Sequence, residues 1–254
     1  MSHSDGSLGY PQPVASPQSL PTKGTIDRAG AFIVAMANDA EDFDVEKYLD
    51  AYEVLDLFRA AHQSPMTRVT MGLRSIVKTA TRADPIVSQR LKRSPRIVRK
   101  LIRMENSNLA RLEDIGGCRA VVQDLEQFEA VRSRIERVWG DQVRRRRDYL
   151  AEVPDSGYRA AHWVVERGGR RIEVQVRTRL QQQWANAVES ADSRLDLTLK
   201  DGVGPDSMLE YFRALGDYIY SIDIGKPDSS LRERLTAAED TVIEQGFYSG
   251  RSKA

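Results

Sequence analysis

Three short segments of this sequence concentrate the groups that could do chemistry. They are RLEDIGGCRAVV at Arg111 to Val122, SGYRAAH at Ser156 to His162, and IEVQVRT at Ile172 to Thr178. Their useful side chains are carboxylates, guanidiniums, a tyrosine and a histidine. In RRIEVQVRT the apolar Ile172, Val174 and Val176 alternate with Glu173, Gln175 and Arg177, the period of a half-buried strand. Its polar face, with an acid, an amide and a guanidinium in line, is either simply wet or lines a site. Two basic runs accompany these segments. Arg90, Lys92, Arg93, Arg96, Arg99, Lys100 and Arg103 fall in one stretch without an acid, and Arg144 to Arg147 form the second. Such runs are either solvated faces or surfaces for phosphates.

Other chemistries find no support in the residues. The sequence holds no GxxxxGK[ST] loop, no GxGxxG, no GxSxG and no HExxH, and none of its histidines precedes an aspartate. The single Cys118 has no partner for a disulfide and no neighbouring cluster for zinc. At 254 residues, with 41% hydrophobic and 30% charged residues and a net charge of +1, the chain suits a water-soluble globular unit without membrane spans. The first residues lack a basic segment followed by an apolar one, so a cytoplasmic location is expected.

The elements that position these residues follow from periodicity. Residues 1–23, rich in Pro, Ser and Gly, are expected to form a disordered tail. Residues 24–85 form a helical lead-in with apolar spacing at Ile33, Met36, Tyr48, Tyr52, Leu55, Met71, Ile76 and Val77, interrupted near Glu41-Asp42 and Ser64-Pro65. In RLKRSPRIVRKLIRM, Ser94 reads as the N-cap and Pro95 as the first residue of a helix. Ile97, Val98, Leu101 and Ile102 then face inward and the arginines outward. Cys118 to Val122 reads as a strand, followed by a helix burying Phe128, Val131, Ile135 and Val138. Trp163 to Val165, Gly168-Gly169 and RRIEVQVRT read as an antiparallel hairpin. Helices follow from Leu180, with Trp184 in the core, and at about 207–221 and 229–245. The fold class is therefore α+β, a small mixed or antiparallel sheet flanked by helices with helical extensions at both ends. The core is expected at 86–195 and the C-terminal helical extension at 196–254.

The three segments, together with RLKRSPRIVRKL, resemble in order the synthetase domain of the RelA/SpoT family, over roughly Arg90 to Glu189. KGTIDRAG and SNLARLEDIGGCRAVV more narrowly resemble stand-alone small synthetases of the toxic or phage-defence type. The resemblance implies a nucleotidyltransferase-like domain that transfers the β,γ-pyrophosphoryl group of ATP to a ribose 3′ hydroxyl. It implies Mg²⁺ as cofactor, with Asp114 and Glu173 as catalytic and metal-binding residues and Glu173 placed to activate the hydroxyl. Arg90 and Arg119 match the arginines that sandwich the adenine, a role suited to planar guanidiniums. Lys92, Lys100 and Arg99 would meet the donor phosphates. Tyr158 would stack on the acceptor base, with His162, Arg147, Gln175 and Arg177 around the acceptor. Arg93 stands where the family has serine and Arg147 where it has lysine. The favoured acceptor is the 3′-CCA end of tRNA, which would make the protein a toxin of translation with a neutralising antitoxin partner. A guanosine nucleotide, GDP or GTP, is the alternative, and a catalytically silent nucleotide-binding module is a third reading. Whether the C-terminal helices pair into a homo-oligomer stays open.

Overall fold

The computed structural model describes residues 20–38, 44–104 and 108–248, so the expected tail through residue 19 and the break near Glu41-Asp42 lie outside the described residues. The lead-in is three helices, α1 (Lys23–Asn38), α2 (Val45–Ala60) and α3 (Gln63–Thr81). Asp44 caps α2 by accepting a hydrogen bond from the Lys47 amide. The α2–α3 break falls at Ala61-His62, a little before Ser64-Pro65. Pro65 is accommodated because the first turn of α3 needs no amide donor there.

Five strands follow: β1 (Ile86–Leu91), β2 (Gly116–Val122), β3 (Val143–Asp148), β4 (Ala161–Arg167) and β5 (Arg170–Thr178). They pair in the order β1-β2-β5-β4-β3, with β2 and β5 parallel and every other pair antiparallel. The α+β expectation with a mixed sheet is the architecture observed, and the hairpin of β4 and β5 turns at Gly168-Gly169 as expected. Between the strands lie α4 (Ser94–Arg103) and α5 (Leu125–Trp139). Beyond the sheet lie α6 (Arg179–Leu195), α7 (Asp206–Asp223) and α8 (Ser229–Glu244).

Strand alternation divides the sheet into a dry and a polar face. Cys118, Ala120, Val122, Trp163, Val165, Ile172, Val174 and Val176 point into one core with α3 and α5, through Leu73, Ile76, Phe128, Val131 and Ile135. A second cluster joins α1 and α2 to Ile97 and Leu101 of α4 and to Leu109, Leu112 and Ile115. The third packs Tyr158, Trp184, Val188, Met208, Phe212 and Val242, tying α6, α7 and α8 together.

Local differences from the sequence reading have physical causes. Arg93, not Ser94, occupies the N-cap of α4, because the Ser94 hydroxyl is engaged by Asp56 at 2.5 Å. Val138 is exposed, since the α5 stripe continues through Trp139, and Met71 points to solvent. Neither β1 nor β3 was expected as a strand.

Candidate active site

The polar face of the sheet is assembled in register. Across β1, β2, β5 and β4, Ser88 pairs with Arg119, Arg119 with Gln175, and Gln175 with His162. In the adjoining row Arg90 pairs with Gly117 and Gly117 with Glu173. Gly117 matters here because a Cβ would lie 3.3 Å from the Glu173 carbonyl and 3.9 Å from its carboxylate, filling the space in front of the acid. The alternation read in RRIEVQVRT is present, with Ile172, Val174 and Val176 fully buried in the core and Glu173, Gln175 and Arg177 lining a cavity on the other side.

That cavity has two connected parts. The inner one, about 190 Å³, is bounded by Arg90 and Arg119 on neighbouring strands together with Asp114, Glu173, Gln175 and Arg177. The outer one, about 880 Å³, extends between α4, the 154–158 loop and the turn after α6. Arg90, Lys92, Asp114, Glu173, Gln175 and Lys200 belong to both.

Asp114, in the loop before β2, is clamped by two ammonium groups on the same oxygen. Lys92 bonds Oδ2, and Lys100 bonds it at 2.8 Å. Burial opposes its charge, and the two lysines nevertheless hold its carboxyl below the ordinary aspartate range. Its other oxygen, Oδ1, is buried and without a hydrogen-bond partner. An unpartnered carboxylate oxygen beside a second acid suits a magnesium ion, which needs only one or two carboxylates and takes its remaining ligands from phosphate and water. The donor set therefore fits Mg²⁺.

Glu173 sits in a closed ring of polar contacts. Gln175 Nε2 donates to Glu173 Oε2 at 2.8 Å, and Arg177 donates to Gln175 Oε1 at 3.1 Å and to the Tyr158 hydroxyl at 2.7 Å. Tyr158 and His162 Nε2 are 2.7 Å apart, and His162 Nδ1 lies 3.2 Å from Glu173 Oε1, off good hydrogen-bond alignment. Burial works against charge on Glu173, but His162 holds its carboxyl below the usual glutamate range. Burial in turn depresses His162, against the pull of Glu173. At neutral pH the pair is a carboxylate beside a neutral imidazole. With Nδ1 facing the carboxylate, that ring carries its proton on Nδ1 and accepts from the Tyr158 hydroxyl at Nε2.

Arg177 is 1% exposed, and three polar and aromatic neighbours make that burial tolerable. Besides Tyr158 and Gln175 it donates to Gln182 Oε1 at 3.2 Å, and its guanidinium lies 5.0 Å from the Tyr158 ring centroid. Arg119 donates to the same Gln182 oxygen at 2.9 Å. Tyr158 itself is 6% exposed, tilted against Trp184 and edge-on to Tyr149 and His162. Burial lifts its hydroxyl to about 12.

The expected site residues Asp114, Glu173, Arg90, Lys92, Arg99, Lys100, Arg119, Tyr158, His162, Gln175 and Arg177 all line the cavity. Arg147 does not. It shares the register of His162 but donates to Glu113 at 3.4 Å. Arg93 is exposed and also outside the cavity. Gln182, Glu113 and Lys200 went unnoticed in the sequence, because each acts through a partner distant in the chain: Gln182 through Arg119, Lys200 through Glu189, and Glu113, although inside RLEDIGGCRAVV, through Arg145 and Arg147 of β3.

Residues 89–194 match the model of the region found in RelA/SpoT proteins. No match is found among curated proteins. Small alarmone synthetase 1 from Bacillus subtilis, solved bound to its product pppGpp, is 22% identical with a TM-score of 0.52, over 67% of this chain and 94% of that one. Small alarmone synthetase 2 from the same organism is 18% identical with a TM-score of 0.53, over 72% and 98%. A GTP pyrophosphokinase family protein from Streptococcus pneumoniae is 24% identical with a TM-score of 0.54, over 74% and 98%. At these identities the likeness is one of fold.

Proposed function

Since residues 89–194 match the region found in RelA/SpoT proteins, we propose that the chain is a pyrophosphokinase that moves the β,γ-pyrophosphoryl group of ATP onto a ribose 3′ hydroxyl. The observation that carries this reading is the placement of Asp114 and Glu173 in one cavity with Lys92, Lys100 and the facing Arg90 and Arg119. Phosphoryl transfer asks the protein chiefly for position and positive charge, and this cavity supplies both.

In this mechanism Arg90 and Arg119 hold the adenine by stacking, while Lys92 and Lys100 leave Asp114 for the triphosphate. Asp114 and Glu173 would hold Mg²⁺, which when bound neutralises charge on the phosphate oxygens. Glu173 accepts the proton of the 3′ hydroxyl. The freed oxygen forms a bond to the β-phosphorus, and the bond from that phosphorus to the α–β bridging oxygen breaks, so AMP departs with the electron pair. The proton on Glu173 passes to solvent. His162 and Gln175 keep the Glu173 carboxylate aimed, and their hydrogen-bonded neighbours Tyr158 and Arg177 keep them in place.

For the acceptor we favour a guanosine di- or triphosphate, the reading supported by the likeness to alarmone synthetases. A tRNA 3′ end is the second reading, favoured by Arg96 and Arg99, which line the outer cavity exposed and without an ion pair among the described residues. An antitoxin partner belongs to that second reading alone. Incubation with γ-labelled ATP and Mg²⁺ against GDP, GTP and deacylated tRNA separates them. Label in a guanosine nucleotide is expected, and Glu173→Gln should cut transfer by about 10²- to 10⁴-fold. Label in tRNA alone would replace the first acceptor by the second, and label in none would overturn the pyrophosphokinase reading.

A further inference from the structure

Lys200 stands in the cavity although it lies beyond residue 194, where the family region ends. It is carried on a short 3₁₀ turn, Leu199–Asp201, just after α6. The turn is firmly built. Leu199 is 2% exposed in the cluster that contains Tyr158 and Met208, and its amide donates to Asp192 Oδ1 at 2.7 Å. The Gly202 amide closes back on the Leu199 carbonyl at 2.9 Å, and Val203 bonds the Thr198 carbonyl at 3.2 Å. A long flexible side chain on a fixed stub can move its ammonium group without moving the backbone.

Its present partner is an acid that has no other ion pair among the described residues. Lys200 Nζ lies 3.1 Å from Glu189 Oε1 on α6 and 5.8 Å from the centroid of the Tyr158 ring. Burial opposes charge on Glu189, and Lys200 is the main group holding its carboxyl below the ordinary range. The charge distribution around the outer cavity gives the pairing a purpose. Its remaining cations, Arg90, Lys92, Arg96, Arg99, Lys100 and Arg103, all come from the β1–α4 segment. From every other element lining it, Lys200 is the single cation among the described residues, beside Tyr149, Ser156, Tyr158 and the neutral His162. A donor triphosphate is already served by Lys92 and Lys100. An acceptor held at Tyr158 would otherwise face no positive charge open to the outer cavity on its own side among the described residues, since Arg177 is buried and already bonded to Tyr158, Gln175 and Gln182.

We propose that Lys200 binds a phosphate of the acceptor nucleotide, and that Glu189 parks the ammonium group while the acceptor is absent. This rests on the pyrophosphokinase reading and assigns to it an acceptor-specific contact outside the family region. Lys200→Ala should raise the acceptor KM about tenfold, the size of one charge-assisted hydrogen bond, while the KM for ATP and the melting temperature hold. Lys200→Arg should restore most of the affinity. Glu189→Gln, which releases the ammonium group, should lower the acceptor KM or leave it unchanged.

Calorimetric titration without ATP supplies a readout independent of turnover. GDP should bind the Lys200→Ala protein about tenfold more weakly than wild type, whereas guanosine, which lacks the phosphates, should bind both alike. If wild type transfers label to deacylated tRNA alone, that tRNA replaces GDP as the titrant and carries the same expected loss. An unchanged acceptor KM, an equal rise in the KM for ATP, or GDP and tRNA titrations indifferent to Lys200 would each overturn the proposal. A wild-type protein that binds GDP through Lys200 but transfers label to nothing would sink the pyrophosphokinase reading and leave the phosphate contact standing.

Discussion

Among single residues, the decisive interaction is the mutual restraint of Glu173 and His162. Glu173 is poised as a base because His162 offsets the burial that works to raise its pKa. Its folded pKa lies below the usual glutamate value, so on acidification it protonates only below that ordinary range. The wild-type profile of kcat/KM should therefore show no carboxylate limb between about pH 5 and pH 8. His162→Gln removes the nearby imidazole, leaves the Gln175 bond as the remaining opposition to burial, and should move an acid limb to higher pH. An unmoved limb would separate His162 from the base. Tyr158→Phe tests the other side of the ring. It deprives His162 Nε2 of its donor and Arg177 of one acceptor, at a cost of about 1–3 kcal/mol in urea denaturation. A stability equal to wild type would mean that the hydroxyl contributes nothing to the buried network.

Among the elements, the two basic runs look alike in the sequence and behave differently in the fold. Those on α4 leave Arg96 and Arg99 exposed at the cavity. Those on β3 are answered by acids: Arg144 by Glu166 at 2.8 Å, Arg145 by Glu113 at 3.0 Å and Arg146 by Glu136 at 2.7 Å. The acids come from β4, α5 and the loop before β2, so only the tertiary fold could distinguish the runs. It also explains why β3 was missed. Four consecutive arginines on an edge strand mask the period of two, and only Val143 in VRRRRD is buried. β1 likewise carries a single buried residue, Val87. β5 and α5 were legible because both have a dry side and a wet one. Replacing Arg96 and Arg99 together by alanine should raise the KM of the anionic substrates about tenfold and flatten its salt dependence. The Arg144 and Arg146 pair replaced in the same way should leave KM within about twofold, since those charges are already neutralised and lie outside the cavity. Equal losses from both pairs would contradict the distinction.

Across the molecule, the three hydrophobic clusters of the described residues must be held in one arrangement for the cavity to exist, and the seams between them are polar. On the C-terminal side, Gly216 lets α7 approach the 154–158 loop so closely that a Cβ would lie 2.6 Å from the Gly157 carbonyl. Arg159 and Arg234 both donate to Asp217 at 2.8 Å, joining that loop to α7 and α8. On the N-terminal side, His62 stands at the α2–α3 break between the first two clusters. It is 1% exposed, edge-on to Phe58, and donates from Nδ1 to the Phe58 carbonyl at 2.8 Å. Burial and the nearby Arg170 guanidinium lower its pKa from 6.5 to about 4, partly against its bond to the Phe58 carbonyl. In the unfolded chain the imidazole takes up a proton through about pH 6.5, whereas the folded protein resists until about 4. Below the first value the unfolded state binds more protons, so stability falls as the pH drops, with the loss complete once the folded form also protonates. The full difference amounts to about 3 kcal/mol. Urea unfolding of wild type and His62→Gln should give curves whose separation shrinks from about pH 7 to about pH 4.5, because only wild type carries this penalty. Carboxylates held below their ordinary range, including Asp114 and Glu173, act at still lower pH and affect both proteins alike. A separation independent of pH would show that His62 is not the group through which mild acid loosens the helical lead-in from the sheet.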